Sequence, residues 1–305
     1  MKKILICICT YKRNASLVKC LKSINNLILK NHFELNILIV DNTINFNSEN
    51  EINKLKKKFD IPILHFNEKK RGIVHARNFC LKHIKKIKPF YVSFIDDDCI
   101  LDRKWLLNIT NILNKKNADV ITGPQKYIEK ISIINKKNLT RFFEKTYSKN
   151  ILQVKWAATN NVFFKYKILK NNNLKFDSEL NKFGMGEDQL FFLQLNNLGA
   201  KIFWSKNVKV YEKLHKHRSS INWLKLRSYR LGILGHYIDQ KMYGYIFGLI
   251  FNYIKCFYYL FKSIINILFL LRTKKETSIK ILNYFYRAKG KFLGPILFKK
   301  VGFLK

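Results

Sequence analysis

The sequence predicts an α/β domain followed by a helical tail, and three observations carry that prediction. Short apolar runs recur and each ends in a polar cluster; apolar residues at helical spacing fill the intervals between them; and the last third is greasy and basic but nearly free of acids. The chain has 305 residues, 48% of them hydrophobic, so it can bury a large core and intrinsic disorder is excluded.

Ile4–Cys9 reads as a buried strand, and Leu17, Val18, Leu21, Ile24 and Ile28 then recur at helical spacing. Leu35–Val40 is a second strand, ending in Asp41-Asn42. Ile61–Phe66 is a third, followed by a helix carrying Ile73, Ala76, Phe79, Cys80 and Ile84. Phe90–Ile95 is a fourth and runs into Asp96-Asp97-Asp98, with a helix expected over Asp102–Leu113. After residue 118 the alternation loosens, until a helix opens near Gly186-Glu187-Asp188-Gln189 and stops at Gly199. No internal repeat or Pro/Gly/Ser-rich linker divides the chain. The expected organisation is one catalytic domain over residues 1–218 and a tail over 219–305.

The net charge is +38, from 58 Lys plus Arg against 20 Asp plus Glu. Charge of this size attracts nucleic acid, anionic lipid or phosphorylated substrates. Its distribution separates them: residues 213–305 hold 19 basic residues and only Asp239 and Glu276 as acids. Within that segment, residues 243–271 are densely apolar. Helical winding gathers Asn252, Lys255, Tyr259, Lys262, Ser263 and Asn266 into one stripe, which predicts an in-plane interfacial helix with a polar edge. An anionic membrane surface is therefore an expected partner and nucleic acid is not, because acids line the strand ends and aromatics sit in apolar runs. A non-enzymatic nucleic-acid or anionic-membrane-binding protein is the alternative reading.

The six cysteines form no C-x-x-C pair and read as small buried hydrophobes in a reducing compartment. The apolar run after Met1-Lys2-Lys3 is too short for a secretory signal, so the expected location is cytoplasmic, peripheral at the inner face of the cell membrane.

In an open α/β sheet, ligands bind beyond the carboxyl ends of the strands. Thr10-Tyr11-Lys12-Arg13, Asp41-Asn42, Lys69-Lys70-Arg71-Gly72 and Asp96-Asp97-Asp98 all fall there. No glycine-rich fingerprint follows the first strand, which disfavours a dinucleotide dehydrogenase or a P-loop NTPase. Three successive aspartates repel one another, and a divalent cation relieves the conflict. Strand alternation places Asp96 and Asp98 on one side, facing Mn²⁺ or Mg²⁺, and Asp97 on the other. Glu187-Asp188 opens a helix whose dipole keeps carboxylates ionised, which suits a general base and equally suits capping.

These residues resemble the family 2 inverting glycosyltransferases of the GT-A fold, over roughly residues 4–232. The likeness rests on Ile8-Cys-Thr-Tyr-Lys-Arg13, Val40-Asp41-Asn42, Arg71-Gly72 with Ala76-Arg77-Asn78, and the D-x-D element Phe94-Ile-Asp-Asp-Asp98. It continues through Thr159-Asn-Asn-Val-Phe163, Phe176-Asp177, and Gly186-Glu187-Asp188 to Gly199-Ala200-Lys201-Ile202. The resemblance implies a Rossmann-like mixed sheet flanked by helices and a nucleotide-sugar donor, most often a UDP-sugar. It implies that Thr10 and Asp41 contact uridine and ribose, with Tyr11 beside them, and that Arg13, Arg71 and Arg77 lie near the diphosphate. By the same resemblance Asp96, Asp97 and Asp98 look like the ribose–metal–phosphate cluster, and the catalytic candidates are Asp188 as the base and Glu187 as its neighbour or understudy. Many members place a His after the last core strand as a metal ligand; here Glu212 aligns best, with His215 and His217 just beyond. Arg218 and Trp223–Gly232 resemble members that make bacterial surface polysaccharides, which implies a saccharide or glycolipid acceptor.

Overall fold

The computed structural model describes residues 1–128, 147–170, 172–213, 218, 220–270 and 276–300. The chain forms two compact units, one of Met1–Ile128 with Thr146–Lys213 and the other containing Leu214–Lys305.

The first unit is built on a mixed sheet. β1 (Lys2–Thr10), β2 (Phe33–Asp41), β3 (Ile63–Asn67) and β4 (Tyr91–Asp96) are parallel. The strand β9 (Asn161–Lys165) then pairs antiparallel with both β4 and β6 (Val120–Thr122). With β10 (Ile202–Ser205) and β8 (Ile151–Gln153) the order is β3-β2-β1-β4-β9-β6-β10-β8. A second sheet joins β5 (Cys99–Leu101), β11 (Val210–Glu212) and β7 (Gln125–Tyr127).

Both faces of the large sheet are covered, which is why its parallel strands read as continuous apolar runs. Ile4, Ile6 and Ile8 enter one core with residues of α1 (Asn14–Asn25), α2 (Glu49–Lys56) and α4 (Trp105–Lys116). Leu5 and Cys7 enter the other with α3 (Ile73–Ile87), α5 (Lys167–Lys170) and α6 (Glu187–Asn197). The expected α/β GT-A architecture is therefore the observed one. One local difference follows the aspartates: β5 intervenes, and α4 starts at Trp105 because Asp102 accepts from the Lys104 amide at 2.9 Å and closes a turn first. The six cysteines are free thiols; five are buried and Cys9 is half-buried, its Sγ 3.7 Å from that of Cys80.

The second unit contains α7 (Ile221–Tyr243), α8 (Tyr245–Leu270) and α9 (Glu276–Lys300). Ser220 caps α7, accepting from the Trp223 amide at 3.1 Å. Glycines set the contact between α7 and α9: a Cβ on Gly290 would lie 2.1 Å from the Tyr229 carbonyl, and one on Gly232 2.4 Å from that of Arg287. Gly290 and Gly294 form a G-x-x-x-G pair, a spacing that lets helix backbones approach closely.

The polar stripe of α8 departs from its expected place. Part of it faces inward, at Asn252 and Ser263, while Lys255 keeps 43% of its side chain in water. Asn252 is wholly buried and donates to the Lys291 carbonyl at 2.9 Å, Ser263 donates to the Ile281 carbonyl at 3.3 Å, and Lys255 pairs with Asp239. Lys291, itself buried, donates to Asp239 at 3.0 Å and to Asn252 at 3.2 Å. Helical winding fixes which residues share a stripe; it does not fix which side meets a neighbouring helix. The consequence is an outward apolar face, with Ile246, Phe247, Ile250, Ile254, Phe257 and Phe261 exposed. Among the described residues, no helix is long and apolar enough to cross a membrane.

Candidate active site

Register brings the polar strand ends together. Thr10 lies opposite Asp41, Asp41 opposite Asn67, and Cys9 opposite Asp96. Residues far apart in sequence thus meet at the carboxyl ends of neighbouring strands.

The three aspartates part company there. Asp97 is 4% exposed and turns toward the loop after β1, accepting from Thr10 Oγ1 at 2.7 Å and Arg13 at 3.0 Å. Burial pushes its carboxyl up to about 6, against the pull of Arg13 and Thr10. Arg13 also reaches Asp98 at 2.8 Å. Asp96 points instead to Arg77, at 3.4 Å, with 42% of its side chain exposed. Strand alternation groups Asp96 with Asp98, but the observed partners divide otherwise: Arg13 holds both Asp97 and Asp98, and Asp96 alone meets Arg77, because the chain leaves the strand at Asp96 and turns before β5.

Arg77 is buried and forms the hinge of the arrangement, because its guanidinium also pairs with Glu187. Burial works against the Arg77 charge, yet Glu187 and then Asp96 hold it firmly protonated. Burial likewise pushes the Glu187 carboxyl up to about 7, with Arg77 opposing and Asp188 adding to the rise. Glu187 Oε2 is buried without a hydrogen-bond partner. The two acids at the start of α6 therefore differ. Glu187 is locked to Arg77, whereas Asp188 is only half-buried, with Oδ1 accepting from the next amide in its own helix at 2.7 Å. Gly186 precedes them at φ +88°, a left-handed conformation that glycine adopts without Cβ strain and that turns the chain into α6.

Asp41 is 1% exposed, and its two oxygens take four hydrogen bonds, from the amides and hydroxyls of Thr43 and Ser48. It orders the loop that walls this end of the crevice. Asn42 braces the neighbouring loop, donating to the Glu68 and Lys70 carbonyls at 2.7 and 2.9 Å and accepting from the Gly72 amide at 2.7 Å. Arg71, at the crevice lip, stacks over Tyr11 with 5.4 Å to the ring centroid. Asn181 backs this loop, donating to the Arg71 carbonyl at 3.2 Å. The sequence marked Asn42 only as part of a strand-end dipeptide and gave no signal for Thr43, Ser48 or Asn181, whose roles depend on tertiary placement.

The donor set fits a hard divalent cation in part. Asp96 and Asp98 supply carboxylate oxygens, and the crowding of like charge around them favours a cation. Among the described residues no three His, Cys, Asp or Glu side chains converge as a metal cage. Glu212, 3% exposed at the end of β11 and paired in register with Cys99, does not complete one with Asp96 and Asp98. His215 and His217 lie outside the described residues. Two carboxylates suffice where phosphate oxygens and water fill the remaining positions, as is usual for Mg²⁺ with a phosphorylated substrate.

Comparison with known proteins agrees with this geometry. The model of the glycosyl transferase family 2 matches residues 5–174. The succinoglycan biosynthesis protein ExoM of Rhizobium meliloti is 24% identical over 245 residues, covering 78% of this chain and 75% of its own length. Among solved structures, the mannosyltransferase PcManGT of Pyrobaculum calidifontis, in complex with GDP-Man and Mn²⁺, has a TM-score of 0.62 at 12% identity, with 97% of this chain and 87% of that one covered. TarS residues 1–349 of S. aureus, in complex with UDP, has a TM-score of 0.55 at 15% identity, with 96% and 91% covered. The strand-end acids, the two-faced mixed sheet and the family match converge: the chain belongs to the family 2 glycosyltransferases.

Proposed function

We propose that this glycosyltransferase transfers a sugar from a UDP-sugar, with Mn²⁺ or Mg²⁺, to a lipid-linked saccharide acceptor in surface-polysaccharide synthesis, acting as a peripheral protein at the inner face of the cell membrane. The observation that carries the reading is the carboxylate constellation at the strand ends, in which Arg77 joins Asp96 of the aspartate run to Glu187, the neighbour of Asp188, and the Asp188 charge acts on Asp96. Asp96 and Asp98 would hold the cation, which when bound supplies charge that stabilises the departing diphosphate.

The chain's own residues divide the remaining work. The loop ordered by Asp41 shapes the nucleoside end, Tyr11 and Arg71 form the lip that meets the phosphates, and Thr10 and Arg13 hold Asp97 in place. Asp188 accepts the proton of an acceptor hydroxyl. That oxygen bonds to the anomeric carbon from the face opposite the diphosphate. The bond from carbon to the phosphate oxygen breaks, and its electron pair leaves with the nucleoside diphosphate. Configuration inverts because one displacement occurs.

The helical unit supports the location. It turns an apolar face of α8 outward, and residues 213–305 carry a large basic surplus, a combination suited to an anionic interface. The name of the relative ExoM supports the polysaccharide role. The test is hydrolysis of a panel of nucleotide sugars with and without Mn²⁺ or Mg²⁺. Cation-dependent turnover of a UDP-sugar, abolished in Asp98→Ala and Asp188→Ala, is the expected result. Turnover indifferent to both substitutions, or preference for another nucleotide, overturns the corresponding part.

A further inference from the structure

A groove of about 350 Å³ opens between α7 and α9, lined by Asn222, Lys225, Leu226, Tyr229, Tyr286 and Lys289. Its walls follow from helix periodicity. Residues 222, 225, 226 and 229 recur on one face of α7, and 286 and 289 lie one turn apart on α9. The polar groups are two ammonium ions, two phenols and one amide; no carboxylate lines it. Lys225 sits over the Tyr286 ring at 5.9 Å to the centroid, which directs the ammonium along the groove wall. Asp239, one of only two acids in residues 213–305, is engaged inside the unit by Lys255 and Lys291, which leaves the groove uniformly donor-rich.

The rim is apolar. Leu226 is exposed on the α7 side, and on α9 Lys289 falls in an exposed row with Phe285, Phe292 and Ile296 at helical spacing. A cationic, hydroxyl-bearing groove set within an apolar face matches a ligand with a phosphate at one end and hydrocarbon at the other. A free phosphate would leave the apolar rim unused. We infer that this groove seats the phosphate headgroup of an anionic lipid, so that the helical unit docks on a membrane through a defined headgroup site as well as through its apolar face. The inference rests on reading the unit as membrane-facing and is independent of the donor chemistry.

The experiment uses the full chain and measures sedimentation with vesicles of phosphatidylcholine alone and of phosphatidylcholine with phosphatidylglycerol. Lys225→Gln with Lys289→Gln is compared with Lys280→Gln with Lys299→Gln, which removes the same charge from α9 outside the groove. Neutralising the groove pair should weaken binding to the phosphatidylglycerol vesicles by about tenfold or more, clearly beyond the loss in the control pair. Equal losses in the two pairs, no loss in the groove pair, or a wild-type protein that ignores both vesicles overturns the proposal. So does full displacement from vesicles by millimolar inorganic phosphate, which would make the groove a free-phosphate site. Hydrolysis of a soluble nucleotide sugar should persist in all variants; its absence from the wild type counts against the proposed donor chemistry and leaves the vesicle result standing.

Discussion

The two units solve the problem of polar groups in opposite ways. In the first, apolar strands fill two cores and the charged residues are delivered to the carboxyl ends of the strands, where Asp96, Asp97 and Asp98 are held by Arg77, Thr10 and Arg13. In the second, Asp239, Asn252, Lys255 and Lys291 are gathered between helices and the apolar side chains of α8 are turned out. The first arrangement exposes charge to a soluble, charged donor. The second buries one acid with its lysine partner between helices and turns hydrocarbon outward, which water penalises and a lipid surface does not. The same physics places both sets; the difference lies in which groups each unit turns outward.

The sharpest way to break this contrast is at the strand ends. Asp188→Ala should lower kcat for transfer by roughly 10²- to 10⁴-fold while thermal unfolding stays close to wild type, since a half-buried carboxylate at a helix start is removed without opening the core. Next in size is Arg77→Ala, which leaves Glu187 buried without its counter-charge. A loss of about 3–5 kcal/mol in denaturant unfolding is expected, with Arg77→Lys recovering part of it. If Arg77→Ala unfolds like the wild type, the bridge between the two halves of the site is not structural.

Legibility from sequence followed the range of the interactions. The four parallel strands, the aspartate run and the acids opening α6 were visible because each is a local pattern: a short apolar run, a polar strand end, a helix start. The Arg77–Glu187 pair spans 110 residues and left no local trace. Arg77 was legible only as a basic residue near the site, and its burial between two carboxylates comes from packing of α3 against the sheet. Asn181 was invisible for the same reason. In the tail, helical periodicity marks the stripe of α8, but which of its residues are buried depends on partners in α7 and α9, Asp239, Ile281 and Lys291.

Predictions in the helical unit are smaller and should leave chemistry alone. Gly290→Val forces a side chain into the Tyr229 carbonyl and should destabilise the packing of α7 on α9 by about 1–3 kcal/mol. Faster amide exchange in both helices, with donor hydrolysis unchanged, is the expected readout. Acid should act on the same unit through His236. Burial, aided by Lys291 and opposed by Asp239, lowers its imidazole to about 4 from an ordinary 6.5, and its Nδ1 is buried without a partner. Because the unfolded chain binds the proton more readily, the contribution is complete above pH 6.5 and is lost as pH falls from 6.5 toward 4. The slope reaches at most about 1.4 kcal/mol per pH unit. Amide exchange of α7 measured at pH 7 and pH 5.5 should show the loss, and a flat profile would place His236 in contact with water. The smallest stability effect is expected outside: Phe257→Ser with Phe261→Ser should shift unfolding by no more than about 0.5 kcal/mol, as at other exposed positions, while vesicle sedimentation falls. A large stability loss there would mean that protein, and not lipid, covers the face.

The buried cysteines bear on how such measurements can be made. Burial raises the thiol pKa of Cys20, Cys80, Cys99 and Cys256, and the contact with Cys80 followed by burial raises that of Cys9, so few thiolates exist at neutral pH in these places. Thiol-directed dyes and spin labels should therefore find the native protein nearly silent. A single cysteine introduced at an exposed position such as Phe257 becomes a reporter against that quiet background, able to test contact between α8 and lipid without first stripping the protein of its own sulfur.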